Sequence, residues 1–233
     1  MGSQMTFDWD GGQSTCYEAV PREGSGPAVI VIQEWWGLVP HIKQVCDRLA
    51  AERFVAIAPD LYHGQAAKSP DEAGRLMMAL NIEKAAKDIG GVIRYLAMGH
   101  RKVAGKSIGV VGFCMGGQLA LYAASQFREV GACVDFYGVH PKVQVDCSKI
   151  NCPVMGFFAE RDGHVPPETA RKLEAQLKAH GVKTDFHIFP GVEHAFFNDS
   201  RTEVYHDATA QKAWQKMLQF LAASLAAPAK PGA

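Results

Sequence analysis

Short apolar runs alternate along this chain with longer amphipathic stretches. PAVIVIQ (Pro27 to Gln33) follows the turn-forming EGSGP, is rich in β-branched residues and reads as a buried strand. FVAIAPD (54–60), SIGVVGF (107–113), GACVDFYG (131–138) and PVMGFFA (153–159) share its character, with KTDFHIFP (183–190) as a sixth member. Their apolarity is continuous rather than alternating, as expected of strands covered on both faces in a parallel sheet. Between them the spacing is helical: HIKQVCDRLAAE after Pro40, IEKAAKDIGGVIRYLA from Ile82, GGQLALYAASQ after Met115 and PPETARKLEAQLKAHG from Pro166. In SPDEAGRLMMAL, Ser69 is placed to cap a helix that begins at Pro70, with Glu72 as its reciprocal partner in a capping box. A last helix is predicted from Thr202 to Leu225, followed by a frayed tail over 226–233. Strands alternating with helices predict an α/β fold, a mostly parallel central sheet flanked by helices on both faces.

Length and composition narrow this further. The 233 residues, 48% of them hydrophobic, suit one large domain spanning 1–233. Lys+Arg and Asp+Glu balance at 24 each, so no net field recruits nucleic acid or an acidic membrane. A small neutral or weakly charged ligand fits better, and a monomer or weak dimer is expected. No apolar run approaches the roughly 20 residues needed to span a bilayer, and MGSQMTFDWDGG lacks the features of a secretion signal. Six cysteines without CxxC or a regular framework suit a reducing, cytoplasmic setting.

The candidate chemistry lies in VVGFCMGGQLALYA. Gly112-Phe113-Cys114-Met115-Gly116 matches G-x-S-x-G with sulfur in place of the hydroxyl, between a predicted strand and a predicted helix. Such a turn is tight, strains its central residue and presents that side chain at a helix N-terminus, where N–H groups and the helix dipole favour an anion. A core thiol is the ordinary reading of a lone cysteine. At Cys114 the flanking glycines favour a nucleophile instead. A thiol needs a base and the base an orienting acid, which in this arrangement follow in the order nucleophile, acid, histidine. FFAERDGHVPP places Asp162 in a loop after the fifth strand, and FPGVEHAFFND places His194 after the sixth. His164 is a rival base but shares the acid's loop, and Glu160 reads as a solvated charge.

Taken together, QEWWG, APDLYHG, GFCMGG, ERDGHVP and VEHAFF resemble the dienelactone hydrolase (carboxymethylenebutenolidase) family of α/β-hydrolases, over nearly the whole chain. The resemblance implies an α/β-hydrolase fold and a Cys114–His194–Asp162 triad that opens small lactones or esters through a thioester. It also implies that Glu34 lies beside the resting thiol and governs its ionisation. Backbone N–H groups of Trp35 and Met115 are expected to form the oxyanion hole. Trp36, Tyr137, Phe196, Asn198 and Arg201 are expected to line the substrate pocket. No metal or organic cofactor is implied, since HExxH, zinc spacing and GxGxxG are all missing from the sequence.

The sequence departs from the family at one point. Members that hydrolyse dienelactone hold its carboxylate with arginines, one of them four residues after the histidine, where Asn198 stands here. Arg75 is near the expected place of a second arginine without aligning to it. Esters lacking a carboxylate are therefore an alternative substrate class. A non-catalytic thiol sensor centred on Cys114 is an alternative of another kind.

Overall fold

The computed structural model describes residues 1–9, 12–98 and 100–226. Its strands are β1 (Ser3–Trp9), β2 (Gly12–Ala19), β3 (Gly26–Ile32), β4 (Val55–Pro59), β5 (Val103–Phe113), β6 (Val130–Phe136), β7 (Val154–Ala159) and β8 (Thr184–Phe189). They form one sheet in the order β1-β2-β4-β3-β5-β6-β7-β8. The strands from β4 across to β8 are parallel to their neighbours, whereas β2 runs antiparallel to both β1 and β4. This is the mostly parallel sheet of the α/β-hydrolase fold. The six apolar runs all became parallel strands, and β1 and β2 extend the sheet beyond them.

The helices are α1 (Pro40–Ala51), α2 (Pro70–Ala79), α3 (Ile82–Ala97), α4 (Met115–Gln126), α5 (Pro167–Ala179) and α6 (Asp207–Leu225). Strand periodicity sorts the core into two layers. Val29, Val31, Val111, Phe113, Val134 and Phe136 pack against α1 and α6, through residues such as Leu49, Trp214 and Met217. Ala28, Ile30, Ile32, Val110 and Cys133 face the other way, onto α3, α4 and Leu177 of α5. Covering both faces leaves Ile30 and Ile32 fully buried, each contributing about 2–3 kcal/mol of burial free energy. Among the described residues, no helix is long and apolar enough to cross a membrane.

Two local expectations change. Ser69 does cap α2, its Oγ accepting from the Glu72 N–H at 3.3 Å, but the Glu72 carboxylate reaches back to the Lys68 N–H at 2.8 Å rather than to Ser69. The last helix starts at Asp207 and not Thr202. The His206 N–H is drawn to the Phe196 carbonyl at 3.0 Å, and the His206 ring caps the helix by accepting from the Thr209 N–H at 3.3 Å. Residues 227–233 of the expected tail lie outside the described residues.

Candidate active site

The functional candidates collect at the carboxyl ends of the parallel strands, where the chain leaves the sheet. Glu34 follows β3, Cys114 follows β5, Tyr137 follows β6, Asp162 follows β7 and His194 follows β8. In the loops after β5, β6 and β8, three non-glycine residues have positive φ: Cys114 at 54°, Tyr137 at 43° and Ala195 at 63°. Such conformations cost about 1–3 kcal/mol each and tend to gather where function fixes a side chain.

At the β5–α4 turn the space is set by glycines. A Cβ on Gly112 would overlap the Gly116 carbonyl, and one on Gly116 would overlap the carbonyls of Ile32 and Gln33. The helix therefore starts directly against the sheet, with Cys114 as its N-cap residue. The Cys114 N–H is bonded to the Phe136 carbonyl at 2.9 Å, which fixes the turn to β6. Cys114 is 7% exposed, enough to set it apart from Cys16, Cys46 and Cys133 at 0%. Burial first, with smaller contributions from nearby charge, pushes the Cys16 thiol up to about 12 and the Cys46 and Cys133 thiols well above their usual value.

The histidine and acid of the sequence reading come together. His194 Nδ1 lies 2.7 Å from Asp162 Oδ2, while Asp162 Oδ1 accepts from the N–H groups of His164 and Val165, both at 2.8 Å. Nδ1 of His194 is thus committed to the acid. Burial lowers the His194 pKa, but the bond to Asp162 and the neighbouring Cys114 outweigh it and bring it to about 10. Burial raises Asp162, but its bond to and attraction for His194, with the two N–H groups, leave it below the ordinary carboxylate value. The rival His164 is exposed and lies edge-on to His194, ring centres 5.0 Å apart. Glu160 instead accepts from the Gly191 N–H at 2.8 Å, a loop contact.

Glu34 is 1% exposed, and neither of its oxygens points to solvent. Oε2 accepts from Asn198 Nδ2 at 2.6 Å and Oε1 from the Tyr137 hydroxyl at 3.4 Å. Burial first, then the charges of Glu34 and Cys114, raise the Tyr137 phenol well above its usual value, so these three groups share one enclosure. Asn198 is fully committed, because its Oδ1 also accepts from the N–H and hydroxyl of Ser200 at 3.0 and 2.6 Å. The residue read from sequence as a substrate contact thus braces Glu34. Nothing in the local pattern signals this pairing, which spans 164 positions.

The other pocket candidates fall into two groups. Trp35 and Trp36 are half-buried, with ring centres 5.4 Å apart in an edge-on pair. The Met115 N–H opens α4, where a helix leaves its first N–H groups without internal partners. Phe196 is fully buried against Tyr137 and Phe189, behind the site rather than open to it. Arg201 binds Glu203 through both Nε and Nη2 at 2.8 Å, and Arg75 is exposed on α2. Asp60 shapes its own loop, accepting from the N–H groups of Tyr62 and Gly64 at 3.1 and 2.7 Å. Among the described residues, no group of three or more His, Cys, Asp or Glu side chains is disposed to hold a metal ion.

Comparison with known proteins fits this geometry. The family model described as "Dienelactone hydrolase family" matches residues 15–225. A protein of Aquifex aeolicus named "Putative carboxymethylenebutenolidase" is 37% identical over 227 residues, covering 94% of this chain and 97% of the relative. One of the same name from Escherichia coli is 30% identical over 226 residues, covering 90% and 82%. Among solved structures, the "Putative Dienelactone Hydrolase" of Klebsiella pneumoniae superposes with a TM-score of 0.85 at 27% identity, over 95% of this chain and 98% of that one. An esterase from Thermogutta terrifontis shares the fold, with a TM-score of 0.71 at 19% identity, over 98% and 95%.

Proposed function

The chain belongs to the dienelactone hydrolase family and is an esterase-type hydrolase, and on that premise we propose that it opens small esters or lactones through a Cys114–His194–Asp162 triad and a thioester intermediate. The observation that supports this reading most directly is the pairing of Asp162 with Nδ1 of His194 at 2.7 Å, in loops at the sheet edge where Cys114 also stands.

In the first half-reaction the thiol proton passes to His194 and the sulfur attacks the substrate carbonyl. The N–H groups of Trp35 and Met115 hold the oxyanion that forms. As the tetrahedral intermediate collapses, the carbon–oxygen bond to the leaving alkoxide breaks, and protonated His194 gives up its proton to that oxygen. In the second half-reaction His194 takes a proton from water, hydroxide adds to the thioester, and the thiolate departs. The bond to Asp162 favours the protonated ring that gives up this proton, and Asp162, held low, remains the counter-charge throughout. Glu34, braced by Asn198 and Tyr137, is the remaining polar group of this enclosure.

The test is to quench the enzyme during turnover of a chromogenic ester and weigh the intact protein. An acyl adduct on Cys114 that hydroxylamine removes is the expected result. Undiminished turnover by Cys114→Ala would overturn the assignment.

A further inference from the structure

The segment entering α1 and the segment leaving β8 meet at a second polar contact besides Glu34–Asn198. His41 Nδ1, in the first turn of α1, lies 3.0 Å from Asp199 Oδ1. A carboxylate only accepts, so Nδ1 is the donor. Asp199 directly follows Asn198, and the chain from Glu34 to α1 is short and bonded to itself. The Gly37 N–H donates to the Glu34 carbonyl at 3.2 Å, and the Val39 N–H to the Gly37 carbonyl at 2.8 Å. Two neighbouring residues of one connection thus grip two residues at the start of α1.

Packing alone does not account for His41. Its side chain is buried edge-on to Phe113 and Phe197, ring centres 6.2 Å from each, and among the described residues its Nε2 has no hydrogen-bond partner. An apolar side chain would fill that space without leaving a nitrogen dry, so the bond made by Nδ1 is the reason for an imidazole here. Two turns further along α1, Arg48 sets its guanidinium carbon 4.1 Å from the centre of the Trp214 ring and 5.4 Å from that of Phe197. Helix α1 therefore holds Phe197 and Asp199, the residues on either side of Asn198. The Asn198 N–H in turn donates to the Ala195 carbonyl at 2.9 Å, and Ala195 adjoins His194 at a φ of 63°.

We infer that His41 and Asp199 are a positioning pair: their bond keeps Asn198 in register with Glu34 and, through the Ala195–Asn198 turn, steadies the segment that presents His194. The bearing of this pair on catalysis rests on the triad reading above. The Asp199 side chain is 45% exposed, so it supplies little packing; its contribution is an acceptor for the His41 Nδ1–H. Without that acceptor Asn198 keeps its neighbour Phe197 in place but loses the anchor on its other side, and its amide leaves Glu34 more readily.

The test compares wild type with Asp199→Ala and Asp199→Asn, substitutions at a half-exposed position that leave the core intact. Exchange of the Asn198 side-chain amide protons with heavy water is followed by NMR in the resting protein, beside the backbone amides of β5, and kcat and KM are measured on a chromogenic ester. In Asp199→Ala the Asn198 protons should exchange at least about tenfold faster and kcat should fall about tenfold with KM within about twofold, while the β5 amides keep their wild-type rates. Asp199→Asn, whose amide oxygen still accepts from Nδ1, should restore both. Unchanged Asn198 exchange in Asp199→Ala, an acceleration shared by β5, or an Asn variant as impaired as the Ala one would overturn the inference. So would faster exchange at an unaltered kcat. If the wild-type protein turns over no ester, faster exchange in Asp199→Ala with rescue by Asp199→Asn would leave the pairing standing and sink the proposed function instead.

Discussion

Replacing Asp135 by Asn should stabilise the protein, and by an amount that depends on pH. In the unfolded chain the carboxyl group titrates near 3.8, whereas in the folded protein burial raises it to about 7. Below 3.8 the group is neutral in both states and adds no pH-dependent term. Between the two values the unfolded chain releases a proton that the folded protein keeps, so stability falls as pH rises. Above about 7 both states are ionised and the loss is complete. A difference of about three pH units corresponds to about 4 kcal/mol, an appreciable part of the 5–15 kcal/mol typical of a folded domain. Asparagine cannot ionise and so escapes this loss. Urea unfolding followed by tryptophan fluorescence at about pH 5.5 and about pH 8.5 should show the variant ahead at both, with its lead about 2 kcal/mol greater at the higher pH. An equal lead at the two pH values, or a more stable wild type at the higher one, would refute the reasoning, because it would mean that Asp135 already ionises in the fold at its ordinary value.

Three further outcomes are expected. Cys114→Ser should keep the thermal midpoint of the wild type but lose at least about tenfold in kcat/KM on an activated ester, since an alcohol is a weaker nucleophile beside the same base; full activity would show that the site, Glu34 included, is not tuned for sulfur. Asp162→Asn removes the strongest contribution that raises His194, so the alkaline limb of the pH–rate profile should move to lower pH and kcat drop by about a thousandfold; an unchanged limb would place the orienting acid elsewhere. Asn198 and Glu34 should show a coupling of about 1.5–3 kcal/mol in a double-mutant cycle of Asn198→Ala and Glu34→Gln read by urea unfolding, as expected for a buried, charge-assisted bond of 2.6 Å. A coupling near zero would free Asn198 for the substrate-contact role its sequence position suggests.

The parallel part of the sheet was legible because each of its strands is a short, continuous apolar run bounded by turn residues. The β5–α4 turn was legible because the glycines at 112 and 116 sit where the backbone has no space for a side chain. Asp162 and His194 followed from chain order and loop placement. The N-terminal pair was less visible: SQMTFDW and GQSTCYEA are polar and nearly alternate, and pairing of β2 with β4 turns them into sheet. Asp135 was visible as a single acid inside GACVDFYG, but its surroundings of glycine come from segments up to 23 positions away. Asn198 shows the limit most clearly. Its position near His194 suggested contact with substrate, and only the folded chain reveals that its amide is already taken by Glu34.

The close seating of α4 on the sheet separates the location of residue 114 from its chemistry. Main-chain atoms of Gly112, Gly116, Ile32 and Gln33 meet there without intervening side chains, so the perch is set by peptide geometry alone. Exchanging the element carried on that perch, sulfur for oxygen or selenium, leaves its coordinates where they are. Lineages sharing this architecture are thus free to try new nucleophiles one codon at a time, without first rebuilding the framework that aims them.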